Sequence, residues 1–200
     1  ARWFDAEAGY RELAEGNPDR VDWLRVLPFL GLHVLCLAPI WVGWSWAAVW
    51  VGIALYLVRA FAITGGYHRY FSHRSYKTSR AFQLVLAILG NMAAQRGCLW
   101  WASHHRRHHS CADTPEDVHS PSQRGFLWSH VLWLMTPRNF PAHMERVQDW
   151  SRYPELRFLD RFSMLVPFMT ILLLYVTGEL IGLTRPASGT NGAQMVVWGF

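Results

Sequence analysis

The 200-residue sequence predicts an all-α membrane protein: a transmembrane helical hairpin, further spans, and a cytosolic helical cap rich in histidine. Three observations carry that prediction. Apolar residues make up 52% of the chain against 16% charged, and they gather in long runs instead of alternating. The stretch 26–64 holds only His33 and Arg59 as groups able to carry charge. Nine of the ten histidines fall between His68 and His143, in the most polar part of the chain. The mean hydropathy of +0.05 is therefore an average of two unlike regions.

Taken in order, residues 1–25 form a polar N-terminal segment. Residues 26–64 are long enough for two spans, since crossing a bilayer takes about 20 apolar residues. The turn between them is placed at Gly43-Trp44-Ser45, where Trp41, Trp44, Trp46 and Trp50 cluster. Tryptophan favours the lipid–water boundary, so this cluster marks one bilayer surface. No polar face repeats along either half, as a hairpin of a soluble protein would require. Residues 65–161 form the His-bearing region. Inside it, Ala81 to Gln95 and Phe126 to Thr136 are apolar but too short to span, and suit interfacial, re-entrant or core helices. Residues 162–183 are a third span with Glu179 as its only charge, and 193–200 begin a fourth.

Charge sets the orientation. Of the 19 Lys and Arg, 18 are Arg and only Lys77 is Lys; thirteen lie between Gly65 and Arg161, and none lies in the Trp-lined turn. By the positive-inside rule the N-terminus and the 65–161 segment face the cytoplasm, so the net +5 is a topology signal and nucleic acid is not a partner. Arg59 lies about two turns from the end of its span, within reach of snorkelling. Abundant aromatics exclude disorder. Cys36, Cys98 and Cys111 form no CxxC pair and exclude a disulfide scaffold.

The histidines form two clusters, His68-Arg-Tyr-Phe-Ser-His73 and His104-His105-Arg-Arg-His108-His109. Residues three and four apart share a helix face, so His105, His108 and His109 can converge. His68 and His73 are five apart, about 140° around an ideal helix, and meet at one metal only if the helix distorts. Imidazole suits Fe, Zn, Cu or Ni. Five imidazoles exceed the four that close a structural zinc site, which points to two metals. Metals at the membrane surface beside apolar helices point to oxidation of a lipid-like substrate. His33, His130 and His143 read as structural, and the ExxH match Glu116-Asp-Val-His119 as coincidental, because di-iron carboxylate proteins need two such motifs.

These residues resemble the membrane fatty acid desaturases of the Δ9 acyl-CoA (stearoyl-CoA) type, bacterial branch. His68-Arg-Tyr-Phe-Ser-His73 is similar to the first box, HRxxSH, and His105-Arg-Arg-His108-His109 to the second, HRxHH. The match runs on through Asp117-Val-His119-Ser and Arg124-Gly-Phe-Leu-Trp-Ser129-His130, against a DPHN…RGFFFSHVGWL-like run. The resemblance implies four spanning helices and a di-iron site. It makes His68, His73, His105, His108 and His109 iron ligands, and dioxygen the co-substrate. It further implies a cis double bond placed in an acyl-CoA or acyl carrier protein thioester, and electrons from a cytochrome b5, ferredoxin or reductase. The setting it implies is a bacterial inner membrane. His104 stands where animal members have Asp, as a candidate donor behind the ligands. The family's third box, HNxHH, is not in the sequence and Ala1 is not Met. The expectation is therefore a C-terminally truncated piece, inactive by itself. A related membrane hydroxylase or oxidase and a non-enzymatic membrane metal-binding protein are the competing readings.

Overall fold

The computed structural model describes residues 5–6 and 20–200, and among these there is no β-strand. Most of the N-terminal segment 1–25 therefore lies outside the described residues. Seven helices organise the rest: α1 (Trp23–Leu35), α2 (Trp46–Ser72), α3 (Arg80–Asn91), α4 (Cys98–Cys111), α5 (Pro154–Arg161), α6 (Leu165–Thr184) and α7 (Gly192–Gly199). Short single turns connect α4 to α5.

Among the described residues two helices, α2 and α6, are long and apolar enough to cross a membrane. The first half of the expected hairpin differs. It breaks after Leu35, passes through a tight turn and resumes as Pro39–Val42. Pro39 has no N–H to give to the Leu35 carbonyl, which takes the Ala38 N–H instead at 2.9 Å. The turn at Gly43-Trp44-Ser45 falls where expected. Gly43 has φ +70°, a left-handed conformation that glycine adopts without strain. Ser45 then caps α2, its Oγ accepting the Ala48 N–H at 3.3 Å. Trp41, Trp44, Trp46 and Trp50 are all more than half exposed, as are Leu57, Leu173 and Leu183 along α2 and α6. That much bare apolar surface is stable against lipid and costly against water.

Helix α7 packs between α2 and α6 around Ala48, Leu174 and Met195. A Cβ on Gly178 would lie 2.5 Å from the Asn191 carbonyl oxygen, so α6 needs glycine there to let the chain come close. Glu179, the lone charge of the third span, accepts the Gly192 N–H at 2.9 Å and so holds the N-terminus of α7. Arg59 donates to the Gly199 and Phe200 carbonyls at 2.8 and 3.1 Å, a different use of its charge from the snorkelling expected.

The apolar run stops at Thr64, but α2 continues to Ser72 and changes to a π-helix over Ala62–Ser72. Its end packs with α3, α4 and α5 in a core that includes Tyr67, Phe71, Leu86, Leu99, Val147 and Leu156. Each such side chain contributes roughly 1.5–3 kcal/mol by burial. This core fixes the first histidine cluster to the second.

Candidate metal centre

The π-helix resolves the spacing of the first cluster. In an i→i+5 ladder, residues five apart stack on one face. The His73 N–H donates to the His68 carbonyl at 3.0 Å, and the two Nε2 atoms lie 3.1 Å apart. Helix α4 supplies the other half by ordinary i, i+4 geometry, His105 Nε2 to His109 Nε2 being 3.0 Å. His73 and His105 join the halves at 3.1 Å. The ligand nitrogens of His68, His73, His105 and His109 all lie within 4.8 Å of one another.

Hydrogen bonding alone serves this arrangement poorly. A neutral imidazole nitrogen carries either a proton or a lone pair, and the Nε2 atoms of His73 and His105 each touch two others. Every contact could be satisfied only through shared bonds at both central rings. A cation among the four would meet four lone pairs at once, so the donor set fits a metal. The electrostatics agree. Burial, then the His68 and His109 rings, lower the His73 pKa, and burial, then His109 and His68, push His105 to about 3. Neutral imidazole is the form that binds a metal.

Three features hold the cluster. Arg106, between the ligand positions of α4, spends its guanidinium on Ser72 O (3.0 Å), Phe71 O (2.6 Å), Arg146 O (2.6 Å) and both Asp149 oxygens (2.9 Å each). It thereby ties the end of the π-helix to α4 and to the 146–149 turn. The Asp160 Oδ1 accepts the Trp100 N–H at 2.8 Å, capping α4 from another helix. Gly97 leaves it room to do so. Trp101 stacks on His105, with ring centroids 4.8 Å apart and 27° between planes.

Of the five residues singled out in the sequence, the structure brings four together and sets His108 beside them. Its ring lies 6.4 Å from that of His105 and 5.7 Å from that of His109, and its Nδ1 is 2.9 Å from Asp117 Oδ2. His119 is not an ExxH partner of Glu116, which is exposed. It sits with His108 on buried Asp117, which sequence reading missed. Burial by itself would raise the Asp117 carboxyl, but hydrogen bonds from the Asp113 N–H, His108 and the His119 N–H outweigh it and hold its pKa down. His33 bonds the Phe29 carbonyl, His130 stacks on Phe126, and His143 meets Arg107 and Glu145.

His104 points away from the cluster, its Nε2 3.0 Å from the Pro141 carbonyl oxygen. Burial, then His143, lower its pKa from the ordinary 6.5 to about 3. A histidine buried neutral favours the fold above its unfolded pKa and loses that contribution as pH falls. Between about pH 6.5 and 3 this one group should cost about 1.4 kcal/mol of stability per pH unit. Melting curves of the metal-free protein across that range should show a shallower slope for His104→Gln than for the wild type. Equal slopes would rule the group out.

Two adjoining apolar clefts, of about 430 and 520 Å³, share Leu32, Ala94 and Gln95. The first is walled by Trp100, Trp101 and Trp133, and the second runs along α2 and α7 past Tyr56, Ile63 and Val196. Trp101 thus stands between the cleft and His105.

A membrane-length helix that ends in a four-imidazole cluster defines an all-helical membrane protein with a histidine-built metal site. More specifically, the chain belongs to the fatty acid desaturase family, whose model matches residues 44–200. It is 34% identical over 171 residues to the sn-2 palmitoyl-lipid 9-desaturase of Nostoc sp. (strain 36), covering 82% of this chain and 59% of that protein. It is 36% identical over 170 residues to the sn-1 stearoyl-lipid 9-desaturase of Anabaena variabilis, covering 83% and 62%. It is also 36% identical over 174 residues to an acyl-CoA 5-desaturase of Anemone leveillei, covering 85% and 52%. The chain spans about 60% of the length of the first two relatives. Family membership is settled at this level.

Proposed function

We propose that the full-length protein is an oxygen-dependent Δ9 acyl desaturase with two irons held in part by His68, His73, His105, His108 and His109. The observation that carries this reading is the convergence of four imidazoles next to an apolar cleft behind Trp101. Iron bound there supplies the dioxygen chemistry that removing two hydrogens from an unactivated chain demands. Overall, one CH₂–CH₂ unit, one dioxygen, two electrons and two protons give one CH=CH unit and two waters.

The chain's own residues do the rest. The clefts take an extended acyl chain, since their walls are mostly apolar. Trp101 bounds the reacting segment on one side and holds the His105 ring on the other. Arg106 ties the end of the π-helix to α4 and so holds the two histidine clusters at a fixed separation. The substrate is an acyl thioester, of coenzyme A or acyl carrier protein, or the glycerolipid acyl chain that the names of the Nostoc and Anabaena relatives indicate. A cytochrome b5, ferredoxin or reductase supplies electrons at the cytoplasmic face of a bacterial inner membrane.

Expression of the full-length protein in a host lacking its own desaturase tests this. Gas chromatography should find new Δ9 monounsaturated chains, and their appearance first in the thioester or the glycerolipid fraction identifies the carrier. Iron-loaded protein with no new double bond would end the proposal, and hydroxylated chains would move it to the hydroxylase reading.

A further inference from the structure

Beside the four-imidazole cluster stands a second group, His108, Asp117 and His119, whose donor atoms are also close enough to hold an ion. Asp117 argues against that use. Its side chain is fully buried and both oxygens are already engaged. Oδ2 accepts the Asp113 N–H at 3.1 Å and faces His108 Nδ1 at 2.9 Å. Oδ1 accepts the His119 N–H at 3.2 Å and faces His119 Nδ1 at 3.3 Å. A cation here would have to displace backbone hydrogen bonds to a buried carboxylate, at a cost of roughly 1–3 kcal/mol for each donor left unpaired.

The loop is built to hold that carboxylate still. Asp113 sits at φ +61°, a left-handed conformation uncommon for a non-glycine residue. Its own Oδ1 accepts the Ser120 and Ser122 hydroxyls at 2.6 and 3.1 Å, closing the turn around Asp117. The His119 ring is wedged between those of His108 and Trp133, at 4.3 and 4.8 Å. Of these two histidines it is His108 whose ring borders those of His105 and His109.

We infer that Asp117 is a positioning residue: it holds the His108 proton on Nδ1 and so presents Nε2 as a bare lone pair to the metal centre. An ionised carboxylate can only accept, so the nitrogen facing it must be the protonated one. A neutral imidazole has a single N–H, and the other nitrogen is then free to ligate. Such carboxylate–histidine–metal relays fix ring orientation and make the ligand more basic. The inference rests on the metal reading above. It separates the two groups by role, the first a set of direct ligands and the second the support for one more.

The test uses the purified full-length protein with its iron. Asp117→Asn keeps the shape but removes the charge and one of the two acceptor oxygens, which weakens the hold on the His108 Nδ1 proton. Retention of iron against graded chelator should fall about 10- to 100-fold. X-ray absorption should report one nitrogen neighbour fewer. In a His108→Ala background the same change should add no further loss, because the carboxylate then has nothing to orient. An equal loss in both backgrounds, or full iron retention in D117N, overturns the inference. Histidine-selective ¹⁵N NMR of the metal-free wild type needs no variant: Nδ1–H at His108 is expected, and Nε2–H overturns the assignment. A wild-type protein that binds no metal would defeat the metal reading itself, which distinguishes the two failures.

Discussion

Replacing His105 with Ala is expected to strip iron from the full-length protein and abolish desaturation. His105 is the central donor: its Nε2 touches both His73 and His109, so it joins the π-helix half of the cluster to the α4 half. Without it, three nitrogens remain and both of its short contacts across the cluster are lost. The loss in metal affinity should exceed the roughly 10–100-fold typical of residues that only support a ligand. The Trp101 ring also loses the surface it stacks on, which opens the cleft toward the metal site. His104→Ala, one residue away, is the matched control. Its ring faces the Pro141 carbonyl on the other side of α4, so iron content should hold. Iron analysis and product chromatography on the two variants decide the matter. An H105A protein that keeps its iron would remove His105 from the site.

Arg106→Ala should be the most damaging change outside the imidazoles. One guanidinium engages three backbone carbonyls and a bidentate carboxylate; its removal takes the side-chain donor from the Ser72 and Arg146 carbonyls and leaves Phe71 O with only the Trp150 indole and Asp149 with only Arg74. Breaking a fully buried pair costs roughly 3–5 kcal/mol, and an exposure of about one-fifth on both partners brings this pair nearer to about 2–3. Arg106→Lys keeps the charge but not the planar fork, and recovers only part of the loss. Because two of the carbonyls belong to the last turn of the π-helix, iron should be lost at denaturant concentrations where the protein is still folded. Thermal melts and iron titrations in detergent check this. Wild-type values of both in R106A would show that the clamp is dispensable.

Much of this protein is legible in its sequence because membrane spans are specified by composition. The runs 26–64 and 162–183 are long enough to be read without knowing what they touch. The turn at Gly43–Ser45 could be read from glycine and a ring of tryptophans. Pro39 was equally visible, and the break it causes follows from its missing N–H. Glu179 and Arg59 were harder, since the amide and carbonyl groups they serve lie on α7, across a turn for Glu179 and 140 residues on for Arg59.

The site divides in the same way. Sequence alone determined the all-helical membrane class and the two histidine clusters, because each depends on residue type and local spacing. Only the tertiary structure decided how the clusters combine. A five-residue gap gives converging ligands on a π-helix and diverging ones on an α-helix, and the core around Tyr67 and Phe71 goes with the former. Only the fold, too, could tell Asp117 from its neighbour Glu116. One is buried under a closed loop against two imidazoles and the other is in water. A carboxylate's role follows from its burial and its partners, and both are properties of chain segments brought together from a distance.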